Sequence, residues 1–175
     1  MINYSDDKEF YDFFKNDIES EAHIEDDPKY EETVFVDRML GYLHDSNFLE
    51  NGEICQHKGY GLKIDAYDLN TPQNNIDLIV SHYVSGQTES FKVFKSDIDI
   101  AFKRAHKFLS ESRIGSGLYQ KLEDASEAYD LSKLIHHNVK NIKSARIILI
   151  TNGNVGEKFE VTDNLDNIEI TYQIW

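Results

Sequence analysis

Cysteine is almost absent from this chain: Cys55 stands alone among 175 residues. A lone thiol closes no internal disulfide and has no second thiolate with which to hold a metal, so a reducing compartment is the simple inference. Cys55 lies in Glu53-Ile54-Cys55-Gln56-His57, which alternates like a strand. It reads as a small buried apolar residue rather than a nucleophile. Long apolar runs are missing as well: none reaches the roughly 20 residues that a membrane-spanning helix needs. The opening MINYSDDKEF lacks the basic and apolar regions of a signal peptide. The expectation is a cytoplasmic protein with no membrane partner. There is no nucleophile elbow, Walker loop or Gly-x-Gly-x-x-Gly run, and Gly115-Ser116-Gly117 reads as a plain loop between helices. Internal repeats and low-complexity tracts are also lacking.

Positive charge is scarce. Lys and Arg number 18 against 32 Asp and Glu, a net charge of -14. Such a surface repels phosphate, which argues against non-specific nucleic-acid binding by the domain as a whole. Acidic residues crowd the first 32 positions, in Asp6-Asp7, Glu19, Glu21, Glu25-Asp26-Asp27 and Glu31-Glu32, and read as a solvated helix face. One stretch runs the other way: Lys92, Lys95, Lys103, Arg104 and Lys107 make 92–107 basic. These five are the candidate nucleic-acid-binding residues, with Tyr60, Tyr67, Tyr83 and Phe91 as candidate stacking aromatics. A solvated helix face and sheet-to-helix packing explain the same residues, so nucleic acid is left open as a partner.

What is present is enough for a core. The hydrophobic share is 40% and the aromatic share 12%, which fits one folded domain without staples. Ser5 to Asp27 predicts a helix with Ser5 as N-cap, an apolar stripe of Phe10, Phe13, Phe14 and Ile18, and a break at Asp27-Pro28. A second helix is predicted over Tyr30 to His44. Three strands follow, Glu53 to Lys58, Leu62 to Leu69 and Ile76 to Val84. The last is apolar enough to be a central strand. Ser96 to Ser110 predicts a helix with Ile98, Ala101, Phe102, Ala105 and Leu109 inward. Leu118 to Asn138 predicts another, broken near Asp130. Ala145 to Thr151 is a strong buried strand, and Ile168 to Trp175 alternates as the last. The fold class is therefore α/β: one mixed sheet with an antiparallel meander and at least one parallel crossover, flanked by helices. The chain divides into an acidic N-terminal helix, 1–29, and the α/β domain, 30–175.

Several segments resemble the N-terminal domain of the abortive infection phage resistance (AIPR) family. Gly61-Leu62-Lys63-Ile64-Asp65-Ala66-Tyr67-Asp68 is similar to that family's Gly-x-x-Lys/Arg-Ile/Val-Asp-Gly-Tyr-x-x-Asp. Ile76-Asp77-Leu78-Ile79-Val80-Ser81-His82-Tyr83 resembles its next strand. Ala128-Tyr129-Asp130-Leu131, Thr151-Asn152-Gly153 and the closing Ile170-Thr171-Tyr172-Gln173-Ile174-Trp175 follow in the family's order. The chain departs at Ala66, where Gly is usual, so a conformation only Gly allows is not needed there. The family's large C-terminal region is not in this chain. The resemblance implies a bacterial phage-defence module whose first partner is that C-terminal region of the same polypeptide, with a homo-oligomer also open.

The αβββαβ run also resembles the restriction-endonuclease core, whose PD-(D/E)XK site holds Mg²⁺ on carboxylates beside a lysine. Asp65, Asp77 and Lys63 are the candidate catalytic residues, and Asp65 and Asp77 the candidate metal ligands, with Glu50 or Glu53 as a third. The triplet is incomplete, because Asp77-Leu78-Ile79 carries Ile where Lys is required and Ser81-His82-Tyr83 supplies no lysine. The expectation is a non-catalytic scaffold, sensing or regulatory module without a cofactor. The alternative is a degenerate nuclease, for which the cofactor would be Mg²⁺. The expected geometry is Lys63 and Asp65 on one face of a strand with Asp77 on the next.

Overall fold

The computed structural model describes residues 7–24, 29–70, 72–86, 91–115, 117–156 and 159–175. Ser5 and the expected break at Asp27-Pro28 lie outside them, as does Ser116. Among the described residues four helices and six strands follow one another as α1 (Asp7–Ala22), α2 (Glu31–Asp45), β1 (Glu53–Gly59), β2 (Leu62–Asn70), β3 (Asn75–His82), α3 (Lys95–Arg113), α4 (Glu127–His137), β4 (Ser144–Thr151), β5 (Glu160–Leu165) and β6 (Ile168–Ile174). A short 3-10 turn, Leu118–Lys121, precedes α4.

The strands form one mixed sheet in the order β1-β2-β3-β4-β6-β5. β1, β2 and β3 make an antiparallel meander, as their short connections dictate. β4 lies parallel to β3 and β6 parallel to β4. The crossover from β3 to β4 carries α3 and α4, which supply the length that a parallel connection requires. The apolar runs of β3 and β4 therefore sit mid-sheet, covered on both faces, with Ile76, Leu78, Ile79, Val80, Ile147, Ile148, Leu149 and Ile150 fully buried.

Alternation splits β3 and β4 between two cores, and β2 crosses from one to the other between Ile64 and Ala66. On one face Leu62, Ile64, Leu78, Val80, Ile147 and Leu149 pack under α3 and α4 through Phe102, Phe108, Leu109, Leu131 and Ile135. On the other, Ala66, Ile79, Ile148 and Ile150 meet α1 and α2 through Phe14, Ile18, Phe35, Val36 and Leu43. The stripe on α1 is narrower than its spacing predicts: Phe14, Ile18 and Ala22 are buried, whereas Phe10 and Phe13 are exposed. Ala66 is buried with a negative φ, so the fold does not call on glycine there.

Two differences from the predicted elements have clear causes. The helix expected over Leu118 to Asn138 is interrupted at 122–126, not at Asp130. Ser126 caps α4 by accepting the Tyr129 N–H at 3.2 Å, and Asp130 falls in the first turn, where the helix dipole favours a carboxylate. β5 was not anticipated, because Glu160 to Asn164 is polar enough to stay exposed on an edge and carries no apolar alternation.

Thr151-Asn152-Gly153 ties the ends of β3 and β4 together. The Thr151 hydroxyl donates to the His82 carbonyl at 2.8 Å, and the Asn152 amide both accepts from Val84 N–H and donates to Val84 C=O. A Cβ on Gly153 would lie 2.6 Å from Val93 and 2.7 Å from Phe91. The glycine is required for that close approach.

Candidate functional site

β2 and β3 pair from Asn70↔Asn75 up to Ala66↔Ile79 and separate beyond that point. Asp65 occupies the opening, where its Oδ2 accepts the Ser81 N–H at 2.6 Å and so replaces a ladder bond. Lys63 points to the same side, its Nζ 3.5 Å from Asp65 Oδ2. The ammonium donates to Glu32 Oε1 at 2.6 Å, to the Ser81 carbonyl at 2.7 Å and to the Ser81 hydroxyl at 2.9 Å. That hydroxyl donates in turn to Glu32 Oε1 at 2.9 Å. One cation is thus held by two carboxylates and two neutral oxygens contributed by α2, β2 and β3.

Lys63, Asp65 and Ser81 are buried, and only Glu32 reaches solvent appreciably. Burial pushes the Asp65 carboxyl above its ordinary range, against the opposing pull of Lys63 and the Ser81 N–H. Burial would raise Glu32 as well, but the hydrogen bond and charge of Lys63, with help from Ser81, hold it below its ordinary value. The two carboxylates are therefore unequal: Lys63 is committed to Glu32 at close range and to Asp65 more loosely.

Asp77 stands on the adjoining strand, as expected, and on the same side of the sheet as Asp65 by its two-residue steps from Ile79 and Ser81. It does not join the cluster. Its partner across the ladder is Asp68, about 10 Å along β2 from Asp65 at the usual strand rise. Arg146 on β4 engages both Asp77 oxygens, through Nε at 2.7 Å and through Nη2, and Asn75 donates to Oδ1 at 2.7 Å. Arg146 also donates to the Phe48 carbonyl at 3.1 Å and lies 4.6 Å from the Phe48 ring centroid. Asp68, the like charge opposite, is satisfied by the N–H groups of Glu50 and Asn51. These groups line a polar cleft of about 460 Å³ with Glu50, Glu169 and Ser144. Glu53 accepts from the Tyr67 hydroxyl and stands apart from both clusters.

A Mg²⁺ ion shared by Asp65 and Asp77 does not fit this arrangement. The carboxylates are far apart along the strands and each already has a cationic partner, Asp65 in the Lys63 that it shares with Glu32 and Asp77 in Arg146. Among the described residues no three His, Cys, Asp or Glu side chains are grouped to hold a metal. Cys55 is buried at 0% exposure, and desolvation pushes its thiol up from its ordinary value.

The basic stretch divides between α3 and the segment before it. Lys92 precedes α3 and is exposed. Lys95 is paired with Asp99 at 2.8 Å, and Lys107 lies 3.6 Å from Glu111 while donating to the Tyr60 carbonyl at 3.1 Å. Lys103 is exposed and Arg104 half-buried. The stacking candidates do not share a surface. Tyr67 packs against the α3–α4 core, Tyr83 meets Phe35 on the α1–α2 side, Phe91 lies against the Gly153 backbone, and Tyr60 projects from a hairpin tip.

Glu32, Ser81 and Arg146 were the residues that sequence reasoning missed. Nothing local marks them, because their partners lie 31, 18 and 69 positions away. None of the described helices is long and apolar enough to cross a membrane.

Residues 35–175 match the family model for the abortive infection phage resistance protein N-terminal domain. No curated protein and no solved structure matches the chain.

Proposed function

The chain belongs to the family of abortive infection phage resistance N-terminal domains, and from that premise we propose that it acts as a non-catalytic scaffold, sensing or regulatory module of a phage-defence protein. The observation that carries this reading is the closed hydrogen bonding of the Lys63 cluster. Its ammonium already has four oxygen neighbours, and the Ser81 N–H and hydroxyl are both used. A nuclease centre needs carboxylates open to an ion and to a phosphate; here they are turned on an internal lysine. The cluster joins α2 to the opening between β2 and β3, where unpaired buried charge would otherwise be costly. In the whole protein the C-terminal region of the same polypeptide is the proposed partner, and the domain restrains or positions it until infection.

A second reading, a degenerate Mg²⁺-dependent nuclease of the cytoplasm, is favoured by one observation. A lysine and two carboxylates do converge, with Glu32 rather than Asp77 beside Asp65. The succession α2-β1-β2-β3-α3-β4 follows the order of a restriction-endonuclease core once α4 is set aside. Supercoiled plasmid incubated with the protein and Mg²⁺ or Mn²⁺ separates the two readings. The plasmid is expected to stay intact. Nicking that disappears in Asp65→Ala would replace the scaffold reading with the nuclease.

A further inference from the structure

The sheet ends in β5, which among the described residues pairs only with β6. Its outer edge has no strand partner among the described residues, the Asn164 N–H donates to Asp163 Oδ1 at 2.7 Å, and residues 160–164 are exposed. The strand is six residues long and contains no proline, enough to template another. Next to this edge, between β5 and α3, lies a groove of about 360 Å³. Its floor is aromatic: Phe102 meets Phe159 at 5.4 Å and Tyr172 at 5.3 Å between ring centroids. His106 stacks on Tyr172 and accepts or donates a 2.6 Å hydrogen bond with its hydroxyl. Val161 forms the outer wall and is 48% exposed.

We propose that this edge and groove form a docking site for an extended basic peptide segment, which adds to the sheet beside β5 and places alternate apolar side chains in the groove. Backbone pairing would supply affinity and the groove would supply selectivity, the division of labour of strand addition. Alternation puts Val161 and Asp163 on the groove side of β5, level with Tyr172 and Ile170 of β6.

Charge selects the occupant. β5 carries Glu160 and Asp163 and no basic residue, Asp163 also accepting the Asn164 N–H at 2.7 Å; across the groove on α3, Asp99 is paired with Lys95 and Lys103 is exposed. A carboxylate that points inward on an open edge opposes pairing with another acidic edge. A second copy of this chain, with net charge -14 and its own Glu160 and Asp163, meets that opposition. A strand carrying Lys or Arg opposite Asp163 gains a cross-strand ion pair instead.

The test uses a fluorescein-labelled peptide with Thr at every second position and Val, Lys and Phe at the positions between, so that Lys and the apolar side chains share the groove face, titrated against the protein by anisotropy, with amide hydrogen exchange of the complex. Saturable binding is expected, with new protection concentrated in 160–165. Asp163→Lys and Val161→Lys should each weaken binding by about tenfold or more, a typical cost for losing one well-placed contact. Both side chains are exposed, so the variants should keep the wild-type melting temperature closely enough for comparison. A peptide with Glu in place of Lys should bind only Asp163→Lys. Absence of saturable binding, protection elsewhere in the sheet, or indifference to both substitutions would overturn the proposal. So would concentration-dependent protection of β5 without peptide, which would assign the edge to a second copy. Plasmid nicking does not bear on this result, so the two proposals fail separately.

Discussion

Glu32 and Asp65 share one lysine, and their opposite shifts give the cluster a defined response to pH. Glu32 is held below its ordinary value in the folded state. Its contribution is therefore present above the unfolded pKa and is lost as pH falls through the folded one. Asp65 is raised by burial, so its ionisation costs stability as pH rises past the unfolded value. Glu32→Gln should accordingly melt below wild type at pH 7, with the gap narrowing as the medium is taken to pH 3. Thermal unfolding at both pH values checks this, and a gap that widens in acid would assign the shift the wrong sign. At the other end of the strands Arg146 neutralises Asp77, which is 2% exposed. Arg146→Met should cost about 3 kcal/mol, since it strands a buried carboxylate. Urea unfolding gives the value, and a loss near zero would mean that Asn75 alone satisfies Asp77.

Among the elements, those whose own residues carry a periodic signal were legible, and those held by a distant partner were not. β3 and β4 announce themselves as apolar, β-branched runs and prove to be interior. Ile147→Ala should cost about 2–5 kcal/mol by chemical denaturation, the range for emptying a packed core position. β5 stayed hidden because an exposed edge needs no apolar alternation, and its pairing with β6 depends on a turn at Asp166-Asn167. The β1–β2 hairpin shows how a local rule can be broken. Gly59 pairs with Leu62, so Tyr60 and Gly61 form a two-residue turn with φ of 52° and 73°. Asn or Gly usually fills the first of these positions. Tyr60 is 90% exposed, so Tyr60→Asn removes little packing and should raise stability by about 0.5–1 kcal/mol. Calorimetry would show the gain, and a loss would reveal a contact for the Tyr60 ring that its exposure does not suggest.

Over the whole molecule, two helical layers enclose a sheet whose polar groups collect where strands separate or end. Lys63 and Asp65 were recoverable from the sequence because alternation on one strand places them together. The remainder of the site was not, because it depends on tertiary geometry: α2 brings Glu32 over β2, the split after Ala66↔Ile79 exposes the Ser81 N–H, and the parallel β3–β4 register sets Arg146 against Asp77. The register also explains why Asp77 does not serve beside Asp65, since Asp68 and not Asp65 is its cross-strand neighbour. The central claim is that the polar groups around Lys63 are committed to one another and leave no place for a catalytic ion. Titrating ¹⁵N-labelled protein with Mn²⁺ and following paramagnetic broadening of backbone amides tests it most directly. The account predicts no selective loss of the Glu32, Asp65 and Ser81 signals at low millimolar Mn²⁺, with any broadening spread over the acidic surface. Selective broadening at those three residues, abolished by Asp65→Ala in a folded variant, would contradict it.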